Sequence, residues 1–258
     1  MKTISKNHFF IIFLAGLCSL YGQSVKKTNR QFNGYIILQF NTVVGLKQFN
    51  FDSTYTNSLG ENFSISKFKY YISNIELENP VTGMKKSVPN SYYLINESDS
   101  ASKKIWIDND GIGFTKISFL IGVDSLKNVS GAQGGALDPA NDMFWTWNTG
   151  YVMAKLEGSA AVSKQMHHVL EYHIGGFRGE NNVLQRVVLD IPSQVGNILA
   201  GKKNLKLLID VDLDKWFLGT HNLSISENPV CTTPGQLARQ FSENYRQMFK
   251  LRSTSVEN

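Results

Sequence analysis

Residues Leu205 to Leu213 read LKLLIDVDL. Leu205, Leu207, Ile209, Val211 and Leu213 occupy every second position, with Lys206, Asp210 and Asp212 between them. Side chains alternate across a strand with period two, so this spacing predicts a strand with one apolar and one wet face. Shorter runs repeat it. Ile36, Leu38 and Phe40 share a face, as do Phe63 and Ile65, Ile75 and Leu77, and Ile117, Phe119 and Ile121. Between the runs lie Asn79-Pro80, Asn109-Asp110-Gly111, Gly131 to Gly135 and Gly175-Gly176, residues that favour turns. Many short half-buried strands separated by turns imply an all-β fold, a sandwich or a barrel, and the expected class is an antiparallel β-sandwich. No internal repeat, low-complexity tract or linker interrupts the pattern.

One segment breaks the period. Thr233-Pro234-Gly235-Gln236 has the layout of a capping box, with Thr233 as the cap and Pro234 at the first helical position. Leu237, Phe241, Tyr245 and Phe249 then recur at helical spacing. They predict a C-terminal helix that docks an apolar stripe on the sandwich.

The N-terminus sets the expected compartment. Lys2 and Lys6 precede an apolar run from Phe9 to Leu20, and Tyr21-Gly22-Gln23 precedes Ser24. This is the layout of a cleaved secretory signal at 1–23, and the run is too short to anchor in a bilayer. Residues 24–258 then form a single exported domain, periplasmic or secreted. Leu14-Ala15-Gly16-Leu17-Cys18 is similar to a lipidation box, but Leu17 stands where a small residue is wanted. Loss of Lys2 and Lys6 lowers the net charge from +5 to +3. That charge is mild, and no basic stripe marks a nucleic-acid surface. Cys231 is then the one cysteine left, so no intrachain disulfide is available. It is read as a buried apolar thiol, with a soft metal ligand as the alternative.

Two segments concentrate chemistry. Gly134 to Gly158 (GGALDPANDMFWTWNTGYVMAKLEG) carries Trp145 and Trp147, which on a strand point to one face about 7 Å apart. Their plainest role is to anchor the core. Gln165 to Phe177 carries His167, His168 and His173. On a strand, His168 shares a face with Leu170, Tyr172 and Ile174, and His167 and His173 lie on the other. His167 and His173 are then about 20 Å apart, so a metal at His173 would draw its partner from another strand. Asp210, Asp212 and Asp214 form a carboxylate row, read as a solvated face with calcium as the alternative. Phosphate loops, HExxH, CxxC and nucleophile-elbow motifs are absent.

At these residues the chain resembles the MbnP-like family of exported proteins. The matching stretches are FKYYISNIEL (Phe68 to Leu77), ISFLIGVDS (Ile117 to Ser125), the Gly134–Gly158 segment, YHIGGF (Tyr172 to Phe177) and ARQFSENYRQMFKL (Ala238 to Leu251). The resemblance implies a β-sandwich binding one copper ion through imidazoles and a tryptophan oxidised to kynurenine, with a diheme cytochrome c peroxidase-like partner as oxidant. It assigns Trp145 or Trp147 as the oxidised residue and His173 as a ligand. Family members often carry a second histidine before the IGVDS strand, and Ser87 to Ser100 contains none. His168, His167 or His221 would substitute. The expected function is therefore non-enzymatic copper handling in the periplasm. The alternatives are a non-metal ligand-binding or structural envelope module, and an enzyme using His173 with Glu171 or Asp138.

Overall fold

The computed structural model describes residues 34–109, 113–146, 150–198 and 204–257. The expected signal segment at 1–23 and Trp147 lie outside the described residues. Strand Tyr35–Val44 organises the smaller of two sheets. It runs parallel to Asn204–Asp212, with Ile36 opposite Leu205 and Phe40 opposite Ile209. Strands Lys104–Asp108 and Lys47–Gln48 pair antiparallel with it, and Phe249–Glu257 pairs with Asn204–Asp212.

The larger sheet is built on the 18-residue strand Asn62–Asn79. Its main path runs Gln185–Asp190, Lys116–Ile121, Asn62–Asn79, Gly150–Ser159, Val169–Gly175, Val230–Cys231. Most neighbours are antiparallel, and Val230–Cys231 joins Val169–Gly175 in parallel. The strand Gly150–Ser159 comes very close to Asn62–Asn79 at a bulge by Gly158. A Cβ there would sit 1.9 Å from the Ser64 carbonyl oxygen, which only glycine avoids.

The alternating residues predicted from sequence face one another between the sheets. Ile36, Leu38, Phe40, Leu205, Leu207, Ile209 and Val211 from the smaller sheet are buried, as are Phe63, Ile65, Ile117, Phe119 and Ile121 from the larger. Phe40 bridges the layers: its ring lies edge-on to Tyr70 at 6.1 Å and to Phe119 at 6.2 Å. These edge-to-face contacts add to the area buried.

The helix differs from its expectation at both ends. It spans Gln236–Tyr245, with Gly235 at the cap position and no capping side chain. Pairing of Val230–Cys231 keeps the preceding chain extended, so Thr233 and Pro234 stay outside the helix. At the other end the chain turns through Arg246–Met248, and Phe249 opens the terminal strand. Phe241 and Tyr245 are the stripe that docks, against Tyr172 and Trp216. The helix is therefore followed by one more strand of the smaller sheet. Leu213 likewise leaves its strand and enters a 3-10 turn, where it is still buried.

The carboxylate row is engaged locally. Asp210 accepts from Asn41 and Arg252, Asp212 from the Gly45 and Asp214 amides, and Asp214 from Ser58. Cys231 is buried, and burial pushes its thiol up to about 11. It stays protonated near neutrality and is a poor ligand there. Among the described residues, no helix is long and apolar enough to cross a membrane.

Because Phe40 fills space between both sheets, Phe40→Ala is expected to destabilise the domain by about 3–5 kcal/mol, read as a lowered urea midpoint. Phe40→Leu should cost clearly less. Equal costs for the two would mean that filled volume contributes nothing here and that the loss lies wholly in the ring contacts.

Candidate metal centre

The hairpin of Gly150–Ser159 and Val169–Gly175 sets the site by register. Lys155 lies opposite His173, and Glu157 opposite Glu171. On the other flank, Lys155 faces Lys69 and Glu157 faces Lys67 of Asn62–Asn79. Leu170, Tyr172 and Ile174 point into the core, so Glu171 and His173 point outward. A row of ionisable side chains thus covers the outer face of the larger sheet.

The chain between Ile121 and Phe144 folds over this face. Asp124 caps the short helix Ser125–Val129 by accepting from the Lys127 amide, 3.1 Å away. Asp138, before Pro139, accepts from the Ala140 amide at 2.9 Å and starts a 3-10 turn. That turn ends at Asp142 in the left-handed region, at φ 60°. The conformation turns the Asp142 carboxylate toward the sheet, 3.1 Å from the Lys67 ammonium and 3.0 Å from that of Lys155. Lys67 also reaches Glu157 at 3.0 Å, and Lys69 donates to the Asn141 carbonyl at 2.9 Å.

Burial opposes ionisation of Asp142 and Glu157, yet both carboxyls are held below their ordinary values. For Asp142, hydrogen bonds and charge from Lys155 and Lys67 outweigh burial. For Glu157 the hydrogen bonds of Lys67 and His173 do so. Lys67 is raised by the same pairings against its own burial.

His173 is half-buried, and its Nε2 lies 2.8 Å from Glu157 Oε1 and 3.5 Å from Glu171 Oε1. Ionised Glu157 can only accept, so Nε2 is the donor to it, and Nδ1 is the ring nitrogen left for any other partner. A carboxylate bonded to the far nitrogen is the usual support of a metal-binding imidazole.

Trp145 follows directly on strand Phe144–Thr146. Its ring rests on Gly175: a Cβ there would lie 2.6 Å from Cζ3. Gly175 and His173 are two apart on one strand, so their outward directions match, about 7 Å apart. Trp145 and His173 therefore share a face.

The other histidines are placed elsewhere. His167 and His168 precede the strand rather than joining it, both in the left-handed region at φ 59° and 55°. The tight turn that starts the strand at Val169 demands that conformation. His168 is exposed, its Nδ1 is 3.1 Å from the Ser163 carbonyl, and it lies beyond the far end of the strand, about 13 Å or more from His173. His221 bonds to Glu243 beside the Gln236–Tyr245 helix. Among the described residues, no three His, Cys, Asp or Glu side chains are arranged to hold a metal ion.

A family model, MbnP, matches residues 33–233 of this chain. The chain belongs to the MbnP family. Its fold is similar to that of MbnP from Methylosinus trichosporium, with a TM-score of 0.55 over 87% of this chain and 99% of that one, at 11% identity. At that identity the likeness speaks for the fold alone. No curated protein matches the chain. The family match stops before the Gln236–Tyr245 helix, so the C-terminal resemblance read from ARQFSENYRQMFKL is not part of the matched span.

Sequence reasoning missed Glu157, Asp142, Lys67 and Lys155. Glu157 stood in the quoted Lys-Leu-Glu-Gly run, two residues after Lys155 and so on the same face. The pairing with His173 depends on register, which one strand does not reveal.

Two outcomes follow for this MbnP-family protein. Gly175→Ala is expected to push the Trp145 ring off the strand and cost about 1–3 kcal/mol, seen as a shifted indole signal in NMR spectra and a lower melting temperature. An unmoved indole would contradict the contact. Asp142 and Glu157 have depressed folded values, so their stabilisation is complete above the ordinary carboxyl values of 3.8 and 4.5. It is lost as pH falls through the lower folded ones. In the Asp142→Asn/Glu157→Gln double variant, stability measured by urea unfolding should fall less steeply on acidification than in the parent.

Proposed function

We propose that this MbnP-family chain is an exported, periplasmic, non-enzymatic copper-binding protein that takes one ion at the face carrying His173 and Trp145. The observation that carries the reading is the Glu157–His173 hydrogen bond at Nε2, which leaves Nδ1 as the nitrogen for a metal, on the strand face where the Trp145 ring lies. Imidazole suits copper, and copper heads the divalent affinity order. The nearby Glu157 and Glu171 carboxylates favour a cation, while Lys155 opposes it.

An intact indole N–H is a donor and not a ligand. Oxidation changes that. Cleavage of the indole C2–C3 bond with gain of two oxygen atoms gives N-formylkynurenine, and hydrolysis then releases formate. The kynurenine formed carries an aromatic amine with a lone pair. A diheme cytochrome c peroxidase-like partner is the proposed oxidant; two peroxide equivalents balance the ring opening and leave as two waters. Trp145 is the modified residue in this reading, with Trp147 as the alternative. The described residues supply His173 and Trp145 but no second imidazole beside them, so the donor set fits copper in part. His168 as second ligand would require the hairpin end to move. That shortfall favours the second reading, an envelope sandwich without metal that binds another ligand or plays a structural part.

The test is copper content and intact mass of protein recovered from the periplasm of its native host. One copper per chain, lost in His173→Ala, supports the proposal, together with a mass gain of two oxygens or its deformylated product at Trp145. Glu157→Gln should retain copper with an affinity about 10- to 100-fold weaker. Metal-free protein of unmodified mass favours the metal-free module, whereas copper unaffected by His173→Ala overturns the assignment of the site to His173.

A further inference from the structure

The two outer faces of the sandwich differ. The larger sheet is overlaid by the 124–146 segment, whereas the outer face of the smaller sheet carries an exposed indole. On strand Lys104–Asp108, Ile105 and Ile107 point into the core and Lys104, Trp106 and Asp108 point out. Trp106 retains 52% of its surface. It stands across from Ile37, and Tyr35 meets its ring edge-on at 5.4 Å and 88°. The indole is thus a firmly held plane facing solvent.

Beside it lies a groove of about 520 Å³ bordered by Gln39, Ser100, Lys103, Lys104 and Trp106. Lys103 is neutralised by Glu97 at 2.7 Å. Asn41, also on the groove, donates to Asp210 and keeps its amide oxygen available. The side chains of Gln39, Ser100 and Lys104 make no hydrogen bond or ion pair among the described residues. Gln39 sits directly opposite Lys104 on the neighbouring strand, so its amide and that ammonium project side by side.

We propose that this groove binds a glycan, with one pyranose ring stacked on Trp106. The axial C–H groups of a pyranose carry partial positive charge, which the negative face of an indole attracts. Around that apolar face a sugar presents a rim of hydroxyls. Here the rim meets an amide, a hydroxyl and an ammonium with open hydrogen-bonding capacity, the mix of apolar surface and few polar groups that orients a small ligand. A nucleic-acid strand would need more positive charge than the single unpaired Lys104 supplies. A protein partner would need a wider apolar patch than one ring. The groove lies on the opposite sheet from His173, so it works independently of the copper reading.

Calorimetric titration with cellohexaose, mannohexaose and hexagalacturonate tests the assignment on the full mature chain, with and without chelator. At least one oligosaccharide should bind, unaffected by chelator, with the Trp106 indole signal shifting in NMR spectra. Trp106→Ala should weaken binding about tenfold or more, Trp106→Phe less, and Gln39→Ala about three- to tenfold. Since Trp106 is exposed, an unchanged melting temperature verifies that the variants fold. The proposal is overturned if none of the three sugars binds, or if Trp106→Ala binds as the parent does.

Discussion

The carboxylate of Asp142, held between the ammonium groups of Lys67 and Lys155, fastens the long excursion after Ile121 to the outer face of the larger sheet. Lys155 is almost fully buried there, and a buried cation without a partner would cost several kcal/mol. With Asp142 and Glu157 around it, the charge is compensated and the excursion has a defined seat. Trp145 follows three residues after Asp142, so seating one places the other. The approach of Trp145 to Gly175, and hence its position near His173, depends on that ionic clamp.

The same cluster orients the imidazole. Lys67 helps keep Glu157 ionised, and ionised Glu157 selects the His173 tautomer. A chain of charge compensation therefore runs from two lysines through a carboxylate to Nε2 of His173. Each step is short and half-buried, where electrostatic interactions are screened less than at an open surface. The opposite sheet is organised differently. There the indole of Trp106 is held by an edge-on ring contact with Tyr35 instead of ions. One sandwich thus presents one outer face covered by the 124–146 segment and another that leaves an indole exposed.

Much of the fold was legible in the residues. The runs at Ile36–Phe40, Ile117–Ile121 and Leu205–Val211 became strands with the expected faces inward, because burying an apolar face leaves one choice of side. The helix was legible in kind and misplaced at both ends. Strand pairing at Val230–Cys231 and at Phe249 overrode the local capping and periodic signals. His168 was misjudged for a related reason: its left-handed backbone belongs to a turn, and a His-His pair does not announce one.

The sequence by itself determined the all-β class, the inward face of each strand and the outward direction of His173, since alternation is a property of a single chain segment. Family membership was likewise visible in short motifs. The tertiary structure alone decided which side chains meet: Glu157 with His173, Asp142 with Lys67 and Lys155, Trp145 with Gly175, and Trp106 with Tyr35. The physical reason is that a strand's own periodicity says which way a residue points and nothing about register. Register is settled collectively, by backbone hydrogen bonds and by burial across both sheets.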